Sequence, residues 1–298
     1  TVPFGAVQLS PDTRAGNWDA CSGYHYNDTT LKGFSHTHLS GTGCIDLGDI
    51  LFRPTTLKPD LTTESIYQPA AFSHKDEDAS AGYYSVVLKE EGIKAELTVT
   101  AHAGMHRYTF SSGKEASIII DLTHLLDNEY IYEAELEQTA ANEITGMRRT
   151  RGWTDNQYVY FVAQFSKPFQ AIDFIQNKKM VSAGVKLNGT DLQACLSFDN
   201  SNGEPVIAKV GLSIVSEKNA RENLETEVIG FDFDAVRSAA RSAWEQALSA
   251  ITVKGGNTDD LKNFYTAMYH SMVVPNVVSD VNGEYRRHNM EVGPVSYT

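Results

Sequence analysis

The sequence has few cysteines, no excess of basic residues and no long apolar run. Its 298 residues include three cysteines, too few for a fold that depends on a disulfide framework. The 25 lysines and arginines are outnumbered by 38 aspartates and glutamates, and the formal net charge of -13 argues against nucleic acid as a partner. No apolar stretch approaches the roughly 20 residues that a bilayer-crossing helix needs, so no membrane span is predicted.

The composition is that of a globular protein, with 41% hydrophobic and 21% charged residues. The length suits one large all-β domain, or one domain and part of another. The chain begins with Thr1 and not with methionine, which we interpret as a product from which a leader has been removed.

Up to about residue 231, short runs of alternating apolar and polar residues are separated by turn-rich breaks, a pattern typical of an antiparallel sandwich. In addition, the Asn188-Gly189 pair predicts a tight hairpin between flanking strands. The clearest predicted strands span residues 47–52, 83–88, 93–99, 117–122, 158–165 and 206–215.

After residue 231 the apolar residues follow a helical period. Asp232 or Asp234 can cap a first helix, whose stripe includes Trp244. Asp259 opens a second helix, which should end before Pro275. Two helices with such apolar stripes need a partner to cover them.

The most informative segment is residues 33–43, which reads GFSHTHLSGTG. His36 and His38 stand one residue apart among small, turn-forming residues that cannot build a core. Trp18, Tyr24 and nearby imidazoles precede this loop. Aromatic faces flanked by hydrogen-bonding groups suit a sugar ring, which has an apolar C–H face and polar hydroxyls. The segment therefore predicts a carbohydrate site.

Taken with the opening PFGAVQLSPDT, these motifs resemble the N-terminal region of glycoside hydrolase family 92. The resemblance continues through FSH and AGYY at residues 72–74 and 81–84, AELTVT at 95–100, and YFVA and FSKPF at 160–169. It covers nearly the whole chain.

The resemblance implies a bacterial, calcium-dependent exo-α-mannosidase that inverts configuration, α-1,2-mannosidase-like, secreted or periplasmic. It also implies a mainly β fold: a large antiparallel β-sandwich over residues 1–230, a linker helix over 231–256, and the start of a truncated (α/α)6 barrel over 257–298. In the family both catalytic carboxylates and most calcium ligands belong to the barrel. We therefore expect them beyond Thr298 and assign no catalytic residue to this chain, which alone should be inactive.

By the same resemblance, the expected substrate-binding residues are Trp18, Tyr24, His36 and His38, on the sandwich side of a pocket completed by the C-terminal catalytic domain. The expected ligand is a mannose-containing glycan. Each residue has a structural alternative: Trp18 as a core tryptophan, and the histidines as hydrogen-bonding supports of their loop. A zinc site on the histidines lacks evident further ligands, and calcium prefers oxygen, so neither histidine is expected to bind it.

Further positions leave other functions open. Trp153 follows a basic run at a predicted hairpin end, where it is either an accessory sugar platform or a strand-packing residue. Arg287, His288 and Asn289 stand where many family members carry an acidic residue, so the parent enzyme could act on another α-linked sugar. A non-catalytic carbohydrate-binding or scaffold module is the remaining alternative, because sandwich folds host many functions.

Overall fold

The computed structural model describes residues 1–16, 18–41, 43–63, 65–127, 130–181 and 186–295. Within them the chain forms mainly antiparallel strands followed by three helices. The strands are β1 (Ser10–Asp12), β2 (Thr30–Leu31), β3 (Gly33–Ser35), β4 (Leu51–Thr55), β5 (Ala70–Ala71), β6 (Glu77–Ser80), β7 (Tyr83–Leu88), β8 (Ile93–Val99), β9 (Ala103–Phe110), β10 (Ala116–Asp121), β11 (Tyr130–Ala140), β12 (Glu143–Arg151), β13 (Gln157–Phe165), β14 (Phe169–Gln176), β15 (Lys179–Val181), β16 (Leu187–Gly189), β17 (Leu192–Phe198), β18 (Val206–Ser213), β19 (Glu284–Arg286) and β20 (Val292–Pro294). The helices are α1 (Glu217–Glu227), α2 (Phe233–Leu248) and α3 (Thr258–Ser271).

Two large sheets form the predicted sandwich. In the described residues, one sheet has seven strands in the order β1-β3-β4-β10-β17-β14-β15, and the other has nine in the order β16-β11-β12-β13-β18-β9-β8-β7-β6. The core lies between them, where Phe52 of β4 stacks on Phe165 of β13 with ring centroids 6.2 Å apart. The prediction of a mainly β sandwich followed by helices is confirmed.

The predicted hairpin at Asn188-Gly189 is wrong. β16 pairs with β11 in the nine-stranded sheet, whereas β17, which follows it, belongs to the seven-stranded sheet. The chain crosses between sheets at this point, so the Asn-Gly pair does not join two paired strands.

The helices begin with polar caps, as their sequences require. Asp232 accepts a hydrogen bond from the Ala235 backbone at the start of α2, and Asn257 forms a capping box with Asp260 at the start of α3. The predicted stop before Pro275 is confirmed, because α3 ends at Ser271. No helix among the described residues is long and apolar enough to cross a membrane.

α1 packs on the outer face of the nine-stranded sheet, and the sequence patterns did not predict it. Leu224 and Ala220 of α1 lie against Gly211 of β18. The other buried positions of α1 include Asn219 and Asn223, so the helix lacks the apolar stripe that usually reveals an amphipathic helix.

Trp244 anchors α2 to the start of the chain. Its side chain is buried, and its indole N–H donates to the carbonyl of Thr1 at 2.8 Å. The ring also lies against Tyr269 of α3, with centroids 4.6 Å apart. The stripe predicted from the helical period is therefore used for packing, although α3 has no fully buried residue of its own.

The close approach of α1 to β18 predicts that Gly211→Ala destabilises the fold. An added Cβ would lie 2.4 Å from the Ala220 carbonyl oxygen and 2.6 Å from Leu224 Cβ, so the helix must move. Such overpacking costs about 1 to 3 kcal/mol in the free energy of unfolding, measured by urea denaturation.

Gly113→Ala is the matched control. Gly113 has a φ of +76° but no atom within 4 Å of an added Cβ, so its substitution should cost about 1 to 3 kcal/mol through backbone strain and leave the packing unchanged. An unchanged free energy of unfolding in Gly211→Ala would contradict the packing argument.

Candidate functional site

The predicted loop of residues 33–43 begins with the short strand β3, and its two histidines lie inside the protein. His36 is fully buried, and its Nδ1 lies 2.6 Å from the Ile50 carbonyl oxygen while its Nε2 lies 2.9 Å from Nε2 of His106. Tyr108 Oη lies 2.8 Å from Nδ1 of His106. Since a carbonyl only accepts, one chain of donors satisfies every atom: Tyr108 to His106, His106 to His36, and His36 to Ile50.

This chain of hydrogen bonds requires neutral imidazoles. Burial lowers the pKa of His36 to about 4, although its hydrogen bond to Ile50 acts in the opposite direction. Burial also lowers the pKa of His106, and the neighbouring His36 adds to that shift. Both rings therefore remain uncharged at neutral pH.

His38 belongs to a separate, charged group centred on the buried Asp12. Its Nδ1 lies 2.6 Å from the Gln8 carbonyl oxygen and its Nε2 lies 2.7 Å from Asp12 Oδ1. His124 Nε2 lies 2.8 Å from the other oxygen of Asp12. Burial alone would lower the pKa of His38, but the charge and hydrogen bond of Asp12 raise it overall. Burial would raise the pKa of Asp12, yet the two histidines hold it well below its usual range.

All four ring nitrogens of His36 and His38 thus have partners inside the protein. A sugar hydroxyl would have to displace one of those partners. The arrangement is the one expected if the imidazoles support the loop, which was the structural alternative for these residues.

A second buried carboxylate, Asp49, binds the loop at Thr37, between the two histidines. Its Oδ2 accepts from Thr37 Oγ1 at 2.6 Å, and its Oδ1 accepts from Nε of the buried Arg148 at 2.8 Å. Arg148 also donates to the carbonyl oxygens of Leu122 and His124. The loop is therefore tied to β12 of the opposite sheet by charged hydrogen bonds.

Trp18 lies at the surface, on a short 3-10 turn at Trp18–Ala20, and 72% of it is exposed. The alternative of a core tryptophan is therefore wrong. Its ring lies beside the loop, since a Cβ on Gly43 would be 3.8 Å from Trp18 Cη2. Trp18 is the sequence-predicted residue most available to a ligand.

Tyr24 is half-buried and packs against the core. Its hydroxyl lies 3.1 Å from Glu77 Oε2, and Glu77 also accepts from Tyr84 at 2.7 Å. The preceding Gly23 has a φ of +84°, and a Cβ there would lie 2.1 Å from Asp12 Oδ1. Only glycine fits this approach, which fixes the turn leading from Trp18 to Tyr24.

The loop meets the segment that follows α3. Gln8 donates to the Val273 carbonyl oxygen at 3.0 Å and accepts from Ser40 Oγ at 2.7 Å. A Cβ on Gly41 would lie 3.4 Å from Val274 Cγ2. A cavity of about 250 Å³ opens here, and its walls come from both the sandwich and α3. Its lining includes Ser22, His38, Ser40, Tyr84, Tyr269 and Val273.

No cluster of three or more acidic, histidine or cysteine side chains that could hold a metal ion occurs in the described parts of the chain. The carboxylates of Asp12 and Asp49 already accept hydrogen bonds from histidine and arginine side chains. The described residues therefore do not fit a calcium site.

The structure brings together groups that the sequence did not link. Asp12, His124 and Arg148 are distant in sequence from the histidine loop, and no spacing rule joins them to it. Trp153, by contrast, stood out in the sequence, but the strand-packing alternative is wrong because 63% of the residue is exposed.

The burial of His36 predicts a loss of stability in weak acid. The unfolded chain binds a proton near pH 6.5, whereas the folded chain does so near pH 4, so the free energy of unfolding decreases as pH falls through this window. A shift of this size corresponds to on the order of 3 kcal/mol. Urea denaturation between pH 7 and 4 measures it. The pKa shift of His38 has the opposite sign. Its contribution to the free energy of unfolding is therefore lost only as pH rises above 6.5.

His36→Gln should weaken this pH dependence without abolishing it, because the buried His106 contributes a shift of the same sign. Ile229→Ala, at an exposed side chain that does not titrate, should leave it unchanged. Proton NMR of the unsubstituted protein provides a check that needs no variant. A His36 ring titrating near pH 6.5 would contradict the neutral hydrogen-bond chain.

Solved structures of similar proteins share this fold. A family GH92 α-mannosidase from Bacteroides thetaiotaomicron, solved with mannoimidazole, is 36% identical with a TM-score of 0.92; the match covers 99% of this chain and 40% of that one. The GH92 glycosyl hydrolase ccman5 is 26% identical with a TM-score of 0.87, over 100% of this chain and 41% of that one.

A curated relative, an uncharacterized secreted glycosidase from Arthroderma benhamiae, is 29% identical over 95% of this chain and 40% of its own length. The chain thus spans about 40% of the relatives that it matches. The glycosyl hydrolase family 92 N-terminal domain model matches residues 1–213, and the catalytic domain model of the same family matches residues 219–298. The chain therefore belongs to glycosyl hydrolase family 92.

Proposed function

We propose that this chain is the N-terminal β-sandwich and the beginning of the catalytic domain of an inverting exo-α-mannosidase. The observation that carries the proposal is the exposed Trp18 beside the loop that meets Val273 and Val274, within a chain of family 92. An aromatic ring at a contact between two domains is a suitable wall for a sugar pocket. The substrate would be a terminal α-mannoside of a glycan, with an α-1,2 linkage as the first to test.

In this proposal the site residues have two roles, contact with the sugar and support of the loop. Trp18 stacks on a sugar ring, while His36, His38 and Tyr24 hold the loop and turn that position it. An inverting hydrolase needs an acid that protonates the departing oxygen and a base that activates water, about 6.5 to 9.5 Å apart. We place both carboxylates beyond Thr298, because family 92 carries them in the barrel.

We also propose the domain division 1–230, 231–256 and 257–298. The positions of α2 and α3 support it, although residues 296–298 lie outside the described residues. The missing partner would be the chain's own C-terminal catalytic domain, which would cover α3, since no residue of that helix is buried.

Calcium dependence and location complete the proposal. Calcium would be bound by oxygen ligands of the barrel, because the described residues offer no suitable cluster. We propose that the enzyme works in the periplasm or outside the cell, and the description of its relative as a secreted glycosidase supports this.

A different α-linked sugar is the second candidate. Arg287, which stands where many family members are acidic, packs against Gly293 of β20, where a Cβ would lie 2.6 Å from its guanidinium. Such a cation cannot accept hydrogen bonds from sugar hydroxyls as a carboxylate would. A panel of α-linked disaccharides would distinguish the two sugars.

The proposal predicts that the full-length gene product releases mannose from α-mannobioses and that a chelator abolishes the release. Residues 1–298 alone should release none, since the catalytic pair is expected outside them. Free mannose is measured by a coupled assay. Release by the short chain would contradict the placement of both carboxylates in the barrel.

Substitution of Trp18 tests the sandwich wall. In the full-length enzyme, Trp18→Ala should lower kcat/KM for mannobiose by about tenfold, or roughly 1.4 kcal/mol, because the stacking surface is lost. Trp18→Phe should recover most of the activity.

Ile229→Ala is the matched control, because Ile229 is 88% exposed between α1 and α2 and far in sequence from the loop. It should leave kcat/KM unchanged. A similar loss in both variants, or no loss in Trp18→Ala, would remove Trp18 from the site.

A further inference from the structure

Trp153 is an exposed tryptophan at the end of the hairpin that joins β12 to β13. Its exposed fraction is 63%, second only to Trp18 among the tryptophans. The indole is therefore available to a ligand.

The backbone beneath Trp153 is held by a buried carboxylate. Asp46 is 2% exposed, and its Oδ2 accepts from the Trp153 backbone N–H at 2.9 Å and from Gln157 Nε2 at 2.8 Å. Its Oδ1 accepts from the Leu47 backbone at 2.9 Å. Gly152 permits the approach, since a Cβ there would lie 2.0 Å from Asp46 Oδ1. Asp46 thus joins the hairpin end to the segment that follows the histidine loop.

The two exposed tryptophans border the same stretch of chain. Gly43 lies beside Trp18, and Asp46 binds the backbone of Trp153. Three residues of fully extended chain span at most about 11 Å, so the two contact points are close. Along this stretch Gly41 faces Val274, Gly43 faces Trp18 and Asp46 faces Trp153.

The strands β11 and β12, which lead up to the Trp153 hairpin, carry aromatic side chains and paired charges. Tyr130, 61% exposed, is opposite Arg151 in the β11–β12 ladder, and its ring meets Tyr132 at a centroid distance of 5.1 Å. Arg151 lies 3.4 Å from Asp155, and the Arg149 side chain bonds to Asn156. Flat apolar faces among neutralised polar groups suit an uncharged polyhydroxylated ligand better than an anion.

We propose that Trp153 is a second carbohydrate platform, which binds the inner sugar units of a glycan whose terminal sugar lies at the domain contact. This rests on the proposed function. An exo-acting pocket holds the terminal unit between the domains, so units further along the glycan pass Trp18 and then Trp153. Because Asp46 fixes the backbone in advance, little conformational entropy is lost when a sugar stacks on the indole.

The test compares substrates of two lengths with the full-length enzyme and calcium. Trp153→Ala should lower kcat/KM for α-mannotetraose at least fivefold, mostly through KM, and change that for α-mannobiose by less than twofold. Trp153→Phe should retain most of the preference for the longer substrate. Equal losses on both substrates, or no loss on either, would overturn the proposal.

Asp46→Asn tests the positioning role of the carboxylate. It should reduce the preference of the enzyme for α-mannotetraose over α-mannobiose. Thermal melts identify any variant that simply unfolds. Trp153→Ala leaves the backbone bonds of Asp46 in place, so its interpretation does not depend on the outcome for Asp46→Asn.

A binding measurement separates failure of this proposal from failure of the proposed function. Affinity electrophoresis of the full-length protein through gels containing yeast mannan or other soluble α-glycans needs no turnover. A polysaccharide that retards the parent protein but not Trp153→Ala supports the platform even if no mannose is released. Equal retardation of both proteins in every gel, or retardation of neither, would overturn it whatever the activity.

Discussion

The buried carboxylate of Asp12 is the interaction on which the site depends. It lies at the end of β1 and binds His38 from the loop after β3 and His124 from the segment after β10. A carboxylate with almost no exposure to water is strongly destabilising unless cations and hydrogen bonds compensate it. Asp12 has these partners only where β1, the loop after β3 and the segment after β10 meet. The buried charge therefore determines where the loop lies. Asp49 and Arg148 form a second buried charged group, which binds the same loop at Thr37.

The neutral chain of Tyr108, His106 and His36 adds a different constraint. Its donors run in one direction and end on the Ile50 carbonyl oxygen, so the alignment of β9 with the loop is fixed without buried charge. Buried polar groups destabilise a fold when some of them lack hydrogen-bond partners. When all of them have partners, they favour one arrangement of the core. Here each ring nitrogen of His36 and His106 has a partner, so the position of His36 relative to β9 is specified.

The sequence predicted the elements that depend on local pattern. Two strands have the predicted bounds, Tyr83–Leu88 and Ile93–Val99, because alternation with a period of two is a local signal. The strand predicted at residues 47–52 instead begins at Leu51, since Leu47 and Ile50 have positive φ angles of 72° and 58° that interrupt an extended chain. Pairing between distant segments has no such signal. For that reason the sequence could not show that residues 187–189 cross to the other sheet, nor that the two histidines face inward.

The same limit explains which site residues could be found from the sequence. A tryptophan among turn residues stands out in the sequence as either a packing residue or a ligand platform. Its exposed fraction in the structure then distinguishes these two roles, as it does for Trp18 and Trp153. A buried aspartate looks like any of the 38 acidic residues until the fold brings its cations to it. The sandwich has its rigid supports, Asp12, Asp46 and Asp49, below the surface and its aromatic rings above it. In the proposed enzyme this separation lets the sandwich present aromatic surface to a glycan while its buried carboxylates hold the fold beneath it.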